Sequence, residues 1–84
     1  MTEAGYITLD AARECYSIVS KKIGIPVDVL LSERRDQEMV RARWMVMAEM
    51  RDCGASVNMI ARRMQLDHTT VAYGLKRLDA AIAA

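Results

Sequence analysis

Residues 57–78 read VNMIARRMQLDHTTVAYGLKRL, and the fold turns on how this stretch is parsed. Val57, Ile60, Ala61 and Met64 recur at i, i+3, i+4 and i+7, the apolar stripe of a helix. Gln65 and Leu66 interrupt that stripe. A second stripe follows at Val71, Leu75, Leu78 and Ile82, with i, i+4, i+7 and i+11 spacing. Between the two lie four polar residues in a row, Asp67, His68, Thr69 and Thr70, at the start of the second helix. A short helix, a tight turn and a second helix with a polar beginning predict a helix-turn-helix, a motif that lays its second helix in the major groove of DNA.

Upstream of this stretch the chain reads as more helix. Thr8 is placed to cap a helix with Asp10 in its first turn. Leu9, Ala12, Tyr16, Val19 and Ile23 form its apolar stripe, Lys21 and Lys22 complement its C-terminal dipole, and Gly24 ends it. Pro26 opens a short helical turn through Leu31, with Val27, Val29, Leu30 and Leu31 as core filler. Residues 32–37, SERRDQ, form a charged connector in which Asp36 is the expected N-cap. A long helix is expected over residues 37–53, stopped by Gly54, with Val40, Trp44, Met47 and Met50 or Arg51 on its buried side and Met39 and Ala48 flanking. Ser56 caps the helix that begins at Val57.

Length and composition restrict the function classes. Eighty-four residues make one domain, expected over residues 1–84, with a small core and modest stability. A hydrophobic fraction of 52% with 27% charged residues is that of a folded domain rather than a disordered chain. There is no apolar run of the ~20 residues that would span a membrane. The N-terminal MTEAGYITLD has neither a basic n-region nor an apolar h-region, so no signal peptide and a cytoplasmic location are expected. Cys15 and Cys53 are expected to be buried free thiols, and with a single His no familiar set of metal ligands is present. No cofactor, metal or small-molecule substrate is expected. The sequence has no glycine-rich phosphate loop and no nucleophile–base pair, so the chain is not expected to be an enzyme. Net charge is only +1. Its distribution is uneven: residues 1–32 hold three basic against four acidic side chains, residues 33–78 nine against six.

The cluster Asp67-His68-Thr69-Thr70 supports two readings. Asp and Thr at a helix start are ordinary capping chemistry. They also suit base edges: a carboxylate accepts from cytosine N4, a Thr methyl meets the thymine methyl, and His donates to purine N7. Arg34 and Arg35 are either a solvated pair or an arm for a narrow minor groove, where negative potential is enhanced. Arg43, Arg51, Arg62, Arg63, Lys76 and Arg77 are candidate phosphate partners, of which two to four can face one duplex. Trp44 reads as a core anchor, with a partly exposed partner-facing ring as the alternative. Tyr73 either reaches a phosphate with its hydroxyl or packs.

Leu30-Leu31-Ser32-x-Arg34-Arg35, Val40-Arg41-x-Arg43, Ile60 and Asp67-His68-Thr69-Thr70-Val71 together resemble the C-terminal DNA-binding domain of the bacterial replication initiator DnaA. Ile7-Thr8-Leu9-Asp10 and Ile23-Gly24-Ile25-x-Val27 fit the same pattern, so the resemblance spans about residues 6–80. It implies an all-helical domain that binds a short asymmetric duplex site as a monomer. It implies that Asp67, His68, Thr69 and Thr70 read the major groove, that Arg35 enters the minor groove, and that Arg43 and Arg51 contact DNA. The chain differs from the family pattern in its turn, where Gln65-Leu66 stands one residue shorter than a Gly-Gly-Arg lead. It differs also in its loop, where Glu33 and Gln37 replace basic residues.

The expectation is therefore an all-α bundle of four to five helices with a helix-turn-helix, standing alone without an ATPase module. Its expected function is sequence-specific double-stranded DNA binding, in transcription regulation or modulation of replication initiation. Arg34, Arg35, Arg43, Arg51, Asp67, His68, Thr69, Thr70 and Lys76 are the expected DNA-binding residues. A monomer and no membrane contact are expected. The alternative is a protein-protein interaction module that keeps the fold without DNA binding, its partner another protein.

Overall fold

A computed structural model describes residues 5–83 of the chain; the single-domain expectation for residues 1–4 and 84 lies outside the described residues. Five helices follow one another: α1 Leu9–Ile23, α2 Val27–Leu30, α3 Gln37–Asp52, α4 Val57–Met64 and α5 His68–Ala83. Among the described residues there is no strand, so the all-α expectation holds. The helix ends sit where capping chemistry puts them. The hydroxyl of Thr8 accepts from the Ala11 amide at 3.1 Å, and that of Ser56 from the Met59 amide at 3.2 Å. Each cap is worth about 1 kcal/mol against Ala. Gly24 closes α1 in the left-handed conformation at φ 73°.

α3 is the central element, flanked by α1 on one side and α5 on another, with α4 packed chiefly on α5. Val19 of α1, Val46 and Met50 of α3, Ile60 of α4 and Val71 of α5 meet at the middle and are fully buried. Burying such side chains stabilises the fold by about 1.5–3 kcal/mol each. Residues 5–8 lie across α4. The Ser56 amide donates to the Gly5 carbonyl at 2.8 Å. Arg63 donates from Nε to the Ile7 carbonyl at 2.9 Å and from Nη2 to the Tyr6 hydroxyl at 3.1 Å. Its guanidinium also stands over the Tyr6 ring, 5.4 Å from the centroid.

Several expectations are corrected. The buried face of α3 is Met39, Ala42, Val46, Met47 and Met50, with Val40 and Trp44 only half-buried, so the helix is turned by about one residue, ~100°. Leu31 and Ile82 are exposed, at 61% and 75%, and Leu9 is exposed as well. The start of α1, the end of α2 and the end of α5 thus run past the core. Asp36 occupies the N-cap position of α3, but its carboxylate accepts from Arg34 Nε at 3.1 Å rather than from a helix amide. Both cysteines are free, yet only Cys15 is buried. Burial pushes its thiol up to about 12.

Candidate nucleic-acid interface

The turn between α4 and α5 is three residues long. Gln65 adopts the left-handed conformation, φ 57° and ψ 45°, and is the one non-glycine with positive φ among the described residues. The Leu66 amide donates to the Ala61 carbonyl at 2.9 Å and the Gln65 amide to the Arg62 carbonyl at 3.4 Å. This is a Schellman closure with glutamine where glycine is usual. The strained backbone costs roughly 1–2 kcal/mol, and the turn forms without the glycines of the family pattern.

Asp67 follows and caps α5. Its Oδ1 accepts from the Thr69 amide at 3.2 Å and lies 3.2 Å from Nδ1 of His68. The Thr69 amide above all, with the neighbouring His68, holds the exposed carboxyl below the ordinary Asp value. His68, Thr69 and Thr70 are exposed on the first turn of the helix. Val71, Gly74 and Leu75 bury the side of α5 opposite Thr69 against the core. The four residues are thus displayed together at a helix start, with one oxygen of Asp67 engaged by the cap.

The loop at residues 32–36 is built around Arg43. Nε donates to the Leu30 carbonyl at 3.0 Å, Nη2 to the Ser32 carbonyl at 2.6 Å, and Nη1 to the Arg34 carbonyl. One half-buried guanidinium therefore satisfies three successive alternate carbonyls, and Arg43 faces its own backbone. Arg34 is drawn to Asp36. Arg35 is exposed and has no hydrogen bond or ion pair among the described residues. Leu31, Arg35, Gln65 and Leu66 line one groove. The loop arm and the turn that launches α5 are thus brought to the same side of the molecule.

The remaining basic side chains divide in the same way. Arg51 forms a bidentate pair with Asp79, 2.9 Å at each oxygen. The pair draws Asp79 below its ordinary pKa and Arg51 above. Asp79 stands eleven residues past His68, about 16 Å along the helix, so Arg51 is not brought to the α5 start. Lys76 and Arg77 on α5, Arg62 on α4 and Arg41 on α3 are exposed and have no acidic partner among the described residues. The sequence does not single out Arg41 among the expected DNA-binding residues and gives Gly74 no role. Gly74 is buried against Trp44, whose ring lies so close that a Cβ at residue 74 would meet Trp44 Cδ1 at 2.4 Å. No periodicity announces such a contact. No helix of the described residues is long and apolar enough to cross a membrane.

Compared with known proteins, the chain matches no curated protein and no solved structure. A family model does match, over residues 13–78, which is more than three-quarters of the chain and takes in most of α1, all of α2, α3 and α4 with the loop and the turn, and most of α5. That model is described as the bacterial DnaA protein helix-turn-helix, a family that implies DNA binding, and the chain belongs to this family.

Proposed function

We propose that the chain binds double-stranded DNA with sequence preference, α5 reading the major groove through Asp67, His68, Thr69 and Thr70 while Arg35 enters the adjacent minor groove. The observation that carries this is the shared groove of Arg35, Gln65 and Leu66, which sets the unpaired arginine and the start of α5 on one side. Adjacent major and minor grooves of one duplex are then within reach of one face. Arg43 acts beneath this as the residue that shapes the loop, and Lys76 supplies a phosphate contact further along α5. The role is that of a transcription regulator or a modulator of replication initiation, with the chain acting as a monomer on an asymmetric site.

With about four neutralised phosphates, affinity falls by roughly 10² between 50 and 200 mM salt. Selection of bound sequences from a random duplex pool at low salt tests the reading: a defined site is expected, and no binding at micromolar protein sinks it. A second reading has one observation in its favour. Arg43, Arg51 and Arg63 are all engaged inside the molecule, which weakens the basic surface. A chain that folds but binds no duplex in that selection favours the protein-interaction reading, which binding to a protein partner would then have to show.

A further inference from the structure

Tyr73 is a large aromatic residue that the fold leaves 58% exposed. It is not loose. Its ring stands edge-on to Trp44, centroids 6.3 Å apart and planes at 75°. Trp44 in turn rests on the backbone of α5 at Gly74, close enough that any side chain there would overlap it. Tyr73 is therefore in contact with α3 before any partner arrives, which lessens the rotamer freedom it has to lose on binding.

Its position is continuous with the reading face. At 100° per residue Tyr73 lies about 40° from Thr69 and about 60° from Lys76, on the side of α5 opposite Val71 and Leu75. It stands five residues beyond His68, about 7.5 Å further along the axis. A helix whose first turn meets base edges has by that point risen toward the wall of a groove ~12 Å wide, where the phosphates are. Lys76 and Arg77 flank it, both exposed and without an acidic partner among the described residues. A phenol held at this place beside two cations suits an anionic, hydrogen-bond-accepting partner rather than an apolar protein surface.

We propose that Tyr73, braced by Trp44, is a positioning residue that donates its hydroxyl to a backbone phosphate and so fixes the seating of α5 in the groove. This rests on the DNA-binding reading above and adds to it a contact that carries no sequence information.

The test uses the full chain and the duplex obtained from the random-pool selection. Tyr73→Phe keeps the ring on Trp44 and removes only the donor. Thermal unfolding of the variant is expected to match the parent, while affinity falls about 3–10-fold on the selected site and on random duplex alike. The same comparison is then made on duplexes with one phosphate at a time replaced by neutral methylphosphonate. At one position the parent is expected to weaken and the Tyr73→Phe penalty to vanish. Three results overturn the proposal. If Tyr73→Phe binds duplex as the parent does, the exposed ring serves something other than DNA, such as a protein partner. If the variant loses sequence preference rather than overall affinity, Tyr73 reads a base. If its penalty persists at every methylphosphonate position, no phosphate contact exists. A parent that binds no duplex at all instead removes the underlying DNA reading, and is seen before any variant is made.

Discussion

The loop at residues 32–36 and the start of α5 are both exposed and polar, yet they are held in place by opposite means. The loop is gripped from below, by one guanidinium that takes three of its neighbouring carbonyls. The start of α5 is held from its own surface, by the Asp67 carboxylate on the Thr69 amide, and from its flank, where Trp44 meets Gly74. The difference separates side chains that build a binding surface from those free to use it. Arg43 and Arg35 are the same residue type in the same basic region, but only Arg35 has its charge to spare.

The sharpest way to break this comparison is Arg43→Ala. It leaves carbonyls at Leu30, Ser32 and Arg34 without their charged donor, and a stability loss of about 2–4 kcal/mol by chemical denaturation is expected. Arg43→Lys is expected to recover little, since a point ammonium does not span the three carbonyls as the planar fork does. An unchanged midpoint for Arg43→Ala would mean that the loop is not built on this residue.

Next in size is the flank contact. Gly74→Ala must displace the Trp44 ring, and a cost of about 1–3 kcal/mol is expected. The same substitution made in a Trp44→Ala background should cost well under 1 kcal/mol, which a double-mutant cycle reads directly. Additive costs would place the strain elsewhere.

His68→Ala and Thr69→Ala sharpen the comparison from the other side. Neither side chain is built into the core, so unfolding should change by no more than ~0.5 kcal/mol. Discrimination between the selected duplex and single-base variants should fall by about 1–3 kcal/mol at one position each. Competition binding with point-substituted duplexes checks this.

The smallest effect is a pH dependence at the cap. The folded-state pKa of Asp67 is lowered, so its stabilising contribution is present above the ordinary carboxylate value and is lost as pH falls through the folded one. Asp67→Asn keeps a capping oxygen without titrating. The parent should lose stability relative to this variant as pH is lowered below about 4, and parallel curves would show that the cap carboxylate contributes nothing.

Most helix boundaries were legible because they rest on local chemistry. Thr8, Gly24, Ser56 and the break at Gln65-Leu66 each act within five residues of themselves, and each marks an end in the structure. The phase of α3 was not legible. Met39, Val40, Ala42, Trp44, Met45, Val46, Met47, Ala48 and Met50 make this helix apolar nearly all round, so periodicity leaves several rotations open and packing against α1 and α5 decides among them. The polar run at residues 67–70 was visible as a candidate site because its residues are consecutive. The inward turn of Arg43 was not, since its partners lie nine to thirteen residues away and come into range only when the loop folds back. Family resemblance assigned Arg43 and Arg51 to DNA. Resemblance transfers residue identity, whereas the neighbours that occupy a guanidinium, here three carbonyls and Asp79, belong to this chain's own path.

The missing side chain at Gly74 has a consequence for how this domain can change over generations. α5 touches its neighbour through bare backbone, so the residue at 74 and the residue at 44 are not independent letters. A lineage that gains a methyl at 74 must displace or replace the indole at 44, and one that fills the space beside a smaller residue at 44 makes the way back costly. Descendants of such a chain would then differ at the two positions together, each combination fixing its own seating of α5 against α3. Change in how the start of α5 is presented would in this way arrive through an inherited pair several residues away from it.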